Sequence, residues 1–468
     1  MPDVLFIQTD WLEHLGVLYL SAYLKSQGIK TDIIISRSPK RIIKAVEEQK
    51  PKLLAVSLSS AGHSWILNLL EKVKAKTNVP VVAGGPHPTF FPEVLAHPSL
   101  DFIIRGEGEE SLYLLVLALA GKVNFDEIAG LGYKTPEIKI NPLGNLLHNL
   151  DDLPFPDRLL YFKYPYYRRL GMRRVISARG CPFSCRYCYN AQLRKLYAGK
   201  GKYLRQRSVE NIIAELNQIK PYAKAINFVD DSFGINKDFR EEFLQRYARE
   251  IRLPFIVNLR PELVDERFAS LLSNAGCWCA QIGIETADEK MREEILGRKI
   301  TQEQIISAVR YLKEKNIKVL SYNMLALPNE TLEQGLNTIL FNQKLKIDFP
   351  RFSIFQPYPG TELGDELVRK GIISKEELFK SLTASYFYSS PLKGKEIKSL
   401  INLHKLYPVL IKFPQSERLI RKLVKLPPNP LYHLFFLLAM AIQYKKATYR
   451  SLRETLELGI KNLSLYFH

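Results

Sequence analysis

Two series of short apolar runs alternating with amphipathic stretches run along the chain, and they predict two parallel sheets. The first series occupies residues 1–125. Its apolar runs are DVLFIQ, KTDIIIS, KLLAVSLSS, VPVVAGG and LDFIIRGEGE. Between them lie LGVLYLSAYLKSQG, PKRIIKAVEEQ, SWILNLLEKVKAKT and ESLYLLVLALAGK, all with helical spacing. Strands that are apolar on both faces, separated by amphipathic helices, imply a parallel sheet covered on each side. Ligands of such sheets bind at the carboxyl ends of the strands. Polar or glycine-rich loops fall at those ends here, at residues 9–16, 57–62, 84–89 and 106–109. They predict a ligand cradle of at least four loops.

Residues 126–172 break the pattern. The stretch LDDLPFPDRLLYFKYPYY carries three prolines and excludes a long regular element. It reads as a connector, with LGYKT as one strand of a small hairpin. A second series follows over 173–385. Its strands are RVISA, AINFVDD, FIVNLR, CAQIGIE, VLSYNMLALP and FSIFQPYPG, with helices between them. Six units are too few to close an eight-unit barrel. An open, partial (β/α)6 barrel is expected, with its active face at the C-terminal strand ends. The remainder, 386–468, reads as a helical domain.

Composition adds bounds. At 468 residues, two or three domains are expected. No run reaches the roughly 18 apolar residues of a membrane span. The start MPDVLFIQTD has neither the basic region nor the apolar core of a signal peptide, so a cytoplasmic location is expected. Five cysteines in so long a chain exclude a disulfide framework. The net charge of +19 fits either a Lys-rich composition of thermophile type or an anionic partner. The tail concentrates that charge. From Lys393 onward, 14 Lys or Arg stand against 4 Glu, interleaved with apolar residues. It is expected either to cap the open barrel or to make peripheral membrane contact, possibilities that exclude neither one another nor a lipid-like substrate.

The candidate chemistry lies in SARGCPFSCRYCYN, where Cys181, Cys185 and Cys188 fall within eight positions, just after the first barrel strand. Soft thiolates select zinc or iron–sulfur centres. Structural zinc takes four ligands, and no fourth Cys or His is near. Three thiolates would leave one iron of a 4Fe-4S cluster open. Cys277 and Cys279, flanking Trp278, read as core residues, because free cysteine packs as a small hydrophobe.

This C-x3-C-x-aromatic-C loop resembles the signature of radical S-adenosylmethionine enzymes. The preceding region resembles the Rossmann-like cobalamin-binding domain of one large class of them. GGPHPT and RGEGEESL are similar to its cobalamin half, and DDLPFPDR to its linker. FVDDSFGIN, GCWCAQIGIET, LGRKIT, LPNET and PYPGTEL are similar to its barrel half. The resemblance covers about residues 1–385.

It implies three cofactors: a 4Fe-4S cluster, S-adenosylmethionine and cobalamin. Cys181, Cys185 and Cys188 would ligate the cluster. Tyr187 would lie near the adenine, and Asp230 and Asp231 would meet the amino group or the substrate. Glu285 would bind ribose or amino group, and Arg298 the carboxylate. The cobalamin tail would run near Ser57, Ser59, Gly84 and Gly85, with His87 at the corrin edge and Gly106 and Glu107 in the fourth loop. Many cobalamin domains carry D-x-H-x-x-G. Here Asp10, His14 and Gly16 have another spacing, so His14 is not assigned to cobalt.

The implied activity is C-methylation of an unactivated carbon of a small-molecule or lipid-like substrate, by way of a 5′-deoxyadenosyl radical and methylcobalamin. An external donor of flavodoxin or ferredoxin type would supply the electron. The alternative is cyclisation or rearrangement without methyl transfer. Methylthiolation of RNA would require three further cysteines, and a nucleic-acid partner is not expected. A non-catalytic cobalamin carrier would have no use for the cysteine loop.

Overall fold

The computed structural model describes residues 1–381, 387–427, 429–447 and 452–461. It divides into two units. One comprises Met1–Leu170 and Tyr197–Lys202 with the chain from Glu457; the other comprises Gly171–Leu196 and Tyr203–Leu456.

The first unit is built on a seven-stranded sheet of order β2-β1-β3-β4-β5-β6-β7. The five expected strands are β1 (Val4–Gln8), β2 (Thr31–Ile35), β3 (Leu53–Ser57), β4 (Val81–Gly84) and β5 (Phe102–Ile104). They pair in parallel. All of β1 is buried, as its unbroken apolar run requires. Helices Leu15–Ser26, Pro39–Gln49, His63–Lys74 and Glu109–Leu119 connect them.

The connector reading needs revision at its start. Residues Leu131–Thr135 (β6) and Glu137–Ile140 (β7) form a hairpin that extends the same sheet, β6 running antiparallel to β5. Gly132 makes this possible, because a Cβ there would come within 2.6 Å of Ile103 and 2.7 Å of Ile140. Only from residue 141 does the chain become the proline-interrupted strap, with short helices Leu159–Phe162 and Pro165–Arg169.

The second unit contains six parallel strands: β8 (Met172–Val175), β11 (Ala225–Phe228), β12 (Phe255–Leu259), β13 (Cys277–Glu285), β14 (Lys318–Leu325) and β15 (Phe349–Ile354). A two-residue pair, β9 (Ala178–Arg179) and β10 (Arg205–Gln206), lies apart from them. Neighbours in the six-stranded sheet follow chain order, so β8 and β15 are its two edges. This is the expected open (β/α)6 arrangement. The large core packs one sheet face, through Val175, Phe228, Val257 and Ile282, against the helices. The other face carries one apolar residue from each strand: Met172, Ala225, Ile256, Cys279, Leu320 and Phe349.

Cys277 and Cys279 are both core residues, as expected, but on opposite faces. The register shifts between Phe255 and Ile256 opposite Trp278, which stacks on Phe349. A bulge of this kind increases local twist.

Helices Lys395–Lys412, Glu417–Leu423 and Pro430–Ala447 follow. They cover the exposed edge of β15, whose carbonyls would otherwise be a template for aggregation. His404 Nε2 donates to Phe352 O at 2.9 Å and Gln443 Nε2 to Pro350 O at 2.6 Å. Leu400, Leu403, Tyr407 and Phe436 join the β14–β15 core. The barrel–tail boundary placed at residue 385, and the helical readings of 449–451 and 462–467, lie outside the described residues. Among the described residues, no helix is long and apolar enough to cross a membrane.

Candidate active site

The cysteine loop leaves β8 at its C-terminal end, and the end of β11 anchors that exit. Asp230 Oδ1 accepts hydrogen bonds from Ser177 Oγ at 2.6 Å, Ala178 N at 2.7 Å and Ser177 N at 3.0 Å. The side chain is buried, and burial pushes its carboxyl up to about 6 against those three donors. Asp230 therefore serves the chain itself rather than facing a cosubstrate, as the sequence reading had it. Asp231 is the opposite case. It is exposed, and its charge acts on Cys181, Cys188 and Tyr203. Surrounding protein raises its carboxyl, while a hydrogen bond with Asn190 lowers it.

Cys185 is buried, and Cys181 and Cys188 are partly so. Burial pushes the Cys181 thiol up to about 11 and raises that of Cys188. Left alone, these two would stay protonated at neutral pH, and metal binding is what would compensate their ionisation. Among the described residues, no three His, Cys, Asp or Glu side chains converge on a point fit for one ion. Three soft thiolates without a fourth Cys or His on the loop match a cluster, which leaves one iron open, better than a four-ligand structural zinc site. The sequence reading missed Arg260, at the end of β12. Its Nη1 lies 3.4 Å from Cys185 Sγ, its guanidinium stacks 3.6 Å from the Phe183 ring centroid, and Nε meets Glu262 at 2.5 Å. The available signal was its position, an arginine at the C-terminal end of a barrel strand.

β13 ends in a polar triad of the buried Glu285 and Arg298 with the half-buried Tyr187. Glu285 holds φ at +66°, which turns the chain sharply at the strand end. Its Oε1 accepts from Arg298 Nη1 at 2.7 Å and from Tyr187 OH at 3.1 Å. Arg298 Nη2 donates to Gly283 O at 3.0 Å. A Cβ at Gly283 would lie 2.4 Å from Glu285 Oε1 and 2.7 Å from Arg298 Nη1, so any larger residue would push the pair aside. Burial raises the Glu285 carboxyl, with Arg298 opposing it. Tyr187, Glu285 and Arg298 are thus brought together, bonded to one another. Arg298, however, spends both terminal nitrogens on the chain, and its buried Nε alone lacks a partner.

In the first unit, β3 and β4 end side by side, with Ser57 paired to Gly84. Ser57 and Ser59 are exposed, and a Cβ on Gly84 would find only Ile104 O, at 3.8 Å. This edge is open. Gly85 has φ +95°, and a Cβ there would meet Ser57 Oγ at 2.8 Å. Thr89 Oγ1 ties the third loop to the fourth, donating to Gly85 O at 2.8 Å and accepting from Gly106 N at 2.9 Å. Glu107 N donates to Tyr197 OH at 3.1 Å. Small side chains and backbone at adjacent strand ends suit the nucleotide tail of a corrin. His87 departs from expectation. It is buried, stacked on His63 at 3.9 Å and 3.2 Å from Ser60 Oγ, so it braces the loop from below instead of meeting the corrin edge. Burial and then His63 push it down to about 3. His14 Nε2 is 2.8 Å from Asp10 Oδ1, so that ring nitrogen is occupied within the chain.

A three-thiol loop at the C-terminal end of an open six-strand parallel sheet, together with a second, largely parallel sheet with small residues at its strand ends, fits an α/β enzyme that binds a thiolate-ligated centre and a nucleotide-tailed cofactor. The comparisons make this specific. Residues 175–341 match the Radical SAM superfamily and residues 9–116 the B12 binding domain. An uncharacterized methyltransferase, PH0819 of Pyrococcus horikoshii, is 31% identical over 375 residues, covering 77% of this chain and 79% of that one. The anaerobic magnesium-protoporphyrin IX monomethyl ester cyclase of Rubrivivax gelatinosus is 26% identical over 391 residues, covering 78% and 68%. Among solved structures, the cobalamin-dependent S-adenosylmethionine radical enzyme OxsB shares the fold, with TM-score 0.69, 17% identity and coverage of 100% of this chain and 75% of that one. The chain belongs to the radical SAM superfamily, among its members with a B12-binding domain. It is a radical SAM enzyme whose cofactors are a 4Fe-4S cluster, S-adenosylmethionine and cobalamin.

Proposed function

We propose that the protein transfers a methyl group to an unactivated carbon of a small-molecule or lipid-like substrate. When bound, the cluster and S-adenosylmethionine supply radical chemistry, and cobalamin supplies the methyl carrier. The observation that carries the reading is the placement of Cys181, Cys185 and Cys188 on one loop at the C-terminal edge of a six-strand sheet, in a chain that also has a B12-binding domain. In this reading the three cysteines hold the cluster. Glu285 and Asp231 orient the cosubstrate, and Arg298 acts through Glu285 and Tyr187, fixing both in place. Asp230 sets the path of the cysteine loop. Ser57, Ser59, Gly84 and Gly85 accept the corrin tail.

The same reading includes an external electron donor of flavodoxin or ferredoxin type, and peripheral contact of the helical tail with a membrane. A second reading, cyclisation without methyl transfer, is favoured by the relative named a cyclase. The test is anaerobic reconstitution with iron, sulfide and cobalamin, followed by incubation with S-adenosylmethionine, a reductant and metabolite extracts. A product heavier by one methylene, alongside 5′-deoxyadenosine, supports methyl transfer. Substrate consumed without that gain, with loss of hydrogen, supports the cyclase reading instead.

A further inference from the structure

The helix Pro430–Ala447 is buried along one side only. Phe436 lies in the core with Tyr407 and Leu403, and Gln443 bonds the β15 edge. On the other side Leu431, Leu434, Phe435, Leu438 and Ile442 are each between 45% and 69% exposed. Their spacing of three, four, seven and eleven positions from Leu431 puts them on one helical stripe, about 16 Å long at 1.5 Å per residue. Leu419 and Leu426, in the preceding segment, are also more than half exposed. Scattered apolar residues on a surface need no explanation, but an ordered stripe of this length does.

The charge of the stripe's helix and of the segment that precedes it selects its occupant. Arg418, Lys422, Lys425 and Lys446 are exposed. Between residues 412 and 447 the sequence has a single acid, Glu417, and it is paired with Arg421 at 2.7 Å. A second copy of this chain would set like charge against like, in a protein of net charge +19. An anionic bilayer satisfies both features: its headgroups meet the bases, and its acyl boundary takes the leucines. The helix is not apolar enough to span.

We infer that this face, from Leu431 to Ile442, together with the exposed basic residues of its own helix and of the preceding segment, docks the enzyme on an anionic lipid surface. The inference deepens the membrane contact proposed above and is independent of the reaction assigned. Binding is read without S-adenosylmethionine, so failure of the methyl-transfer reading leaves it untouched.

The experiment is sedimentation of the full chain with phosphatidylglycerol–phosphatidylcholine vesicles and with pure phosphatidylcholine vesicles, at low and physiological salt. Binding to the anionic vesicles alone is expected, weaker at the higher salt. Leu434→Ser/Phe435→Ser/Leu438→Ser should lower the partition about tenfold, with cluster absorbance and elution volume unchanged. Should that variant fail to fold, Lys422→Glu/Lys425→Glu carries the test, and it too should release the protein. No sedimentation with anionic vesicles at either salt overturns the inference. So does equal binding to both vesicle types, undiminished binding by the basic-site variant, or a lipid-free dimer that the triple substitution converts to monomer.

Discussion

Arg260 Nη1 approaches Cys185 Sγ to 3.4 Å, and it is held there by the Phe183 ring on one side and Glu262 on another. A cation donating to a cluster sulfur favours the reduced, more negative state. Arg260→Met should therefore lower the potential of the reconstituted cluster. A charged hydrogen bond differing by about 1.4 kcal/mol between the two states corresponds to about 60 mV for one electron. Arg260→Lys should recover part of this. A redox titration followed by electron paramagnetic resonance reads both, and an unchanged potential in the Met variant would remove Arg260 from the cluster environment.

Replacing Cys181, Cys185 and Cys188 together with Ala should abolish the visible iron–sulfur absorption while cobalamin stays bound, because the corrin site is assigned to the other sheet. Four irons per chain retained in that variant would refute the ligand assignment.

Breaking the Glu285–Arg298 pair should be costly. Arg298→Leu strands a carboxyl inside the protein, and loss of one partner of a buried pair costs about 3–5 kcal/mol. Denaturant unfolding measures it. The double variant Glu285→Gln/Arg298→Leu should recover much of the stability without restoring S-adenosylmethionine binding, which isothermal titration can follow.

Asp230 gives a pH signature. Its folded value of about 6 stands above the ordinary 3.8, so the protonated form is the one folding favours. Its contribution to stability is full below about pH 4 and is lost as the pH rises through 6. Wild type minus Asp230→Asn should show this as a fall in relative stability across that window, flat above it. Taking the difference matters, because His404, pushed down to about 4 by burial, slopes the other way over the same range. A flat difference curve would show that the hydrogen bonds from Ser177 and Ala178 outweigh burial.

Cobalamin should bind without a histidine on cobalt. His14 is engaged by Asp10, and His87 is stacked under its loop. Electron paramagnetic resonance of the cob(II)alamin form should lack axial nitrogen splitting, and His14→Ala should leave the spectrum unaltered. A splitting that disappears in that variant would contradict this.

Much of this architecture was legible because periodicity reports local burial. Continuous apolar runs such as VLFIQ and the cysteine spacing led directly to β1 and to the loop after β8. What stayed hidden depends on long-range contact. The hairpin β6–β7 belongs to the first sheet because Gly132 clears Ile103 and Ile140, a fact of three-dimensional packing. Adjacent aspartates at 230 and 231 look equivalent in sequence, yet the end of β11 turns one inward and leaves the other at the site. Arg298 reads as the partner of the cosubstrate carboxylate, since nothing nearby in sequence shows that Glu285, thirteen positions earlier, is its partner.

The β15 edge is met by donor side chains from His404 and Gln443, and among the described residues no further strand is added there. A strand in that place would impose a register on every residue along it. Two donors and the buried residues Leu400, Leu403, Tyr407 and Phe436 fix only the inner face of these helices, and their outer face carries no such constraint. Substitutions on that outer face should therefore leave the catalytic sheet sealed, whereas substitutions at His404 or Gln443 would unseal its edge.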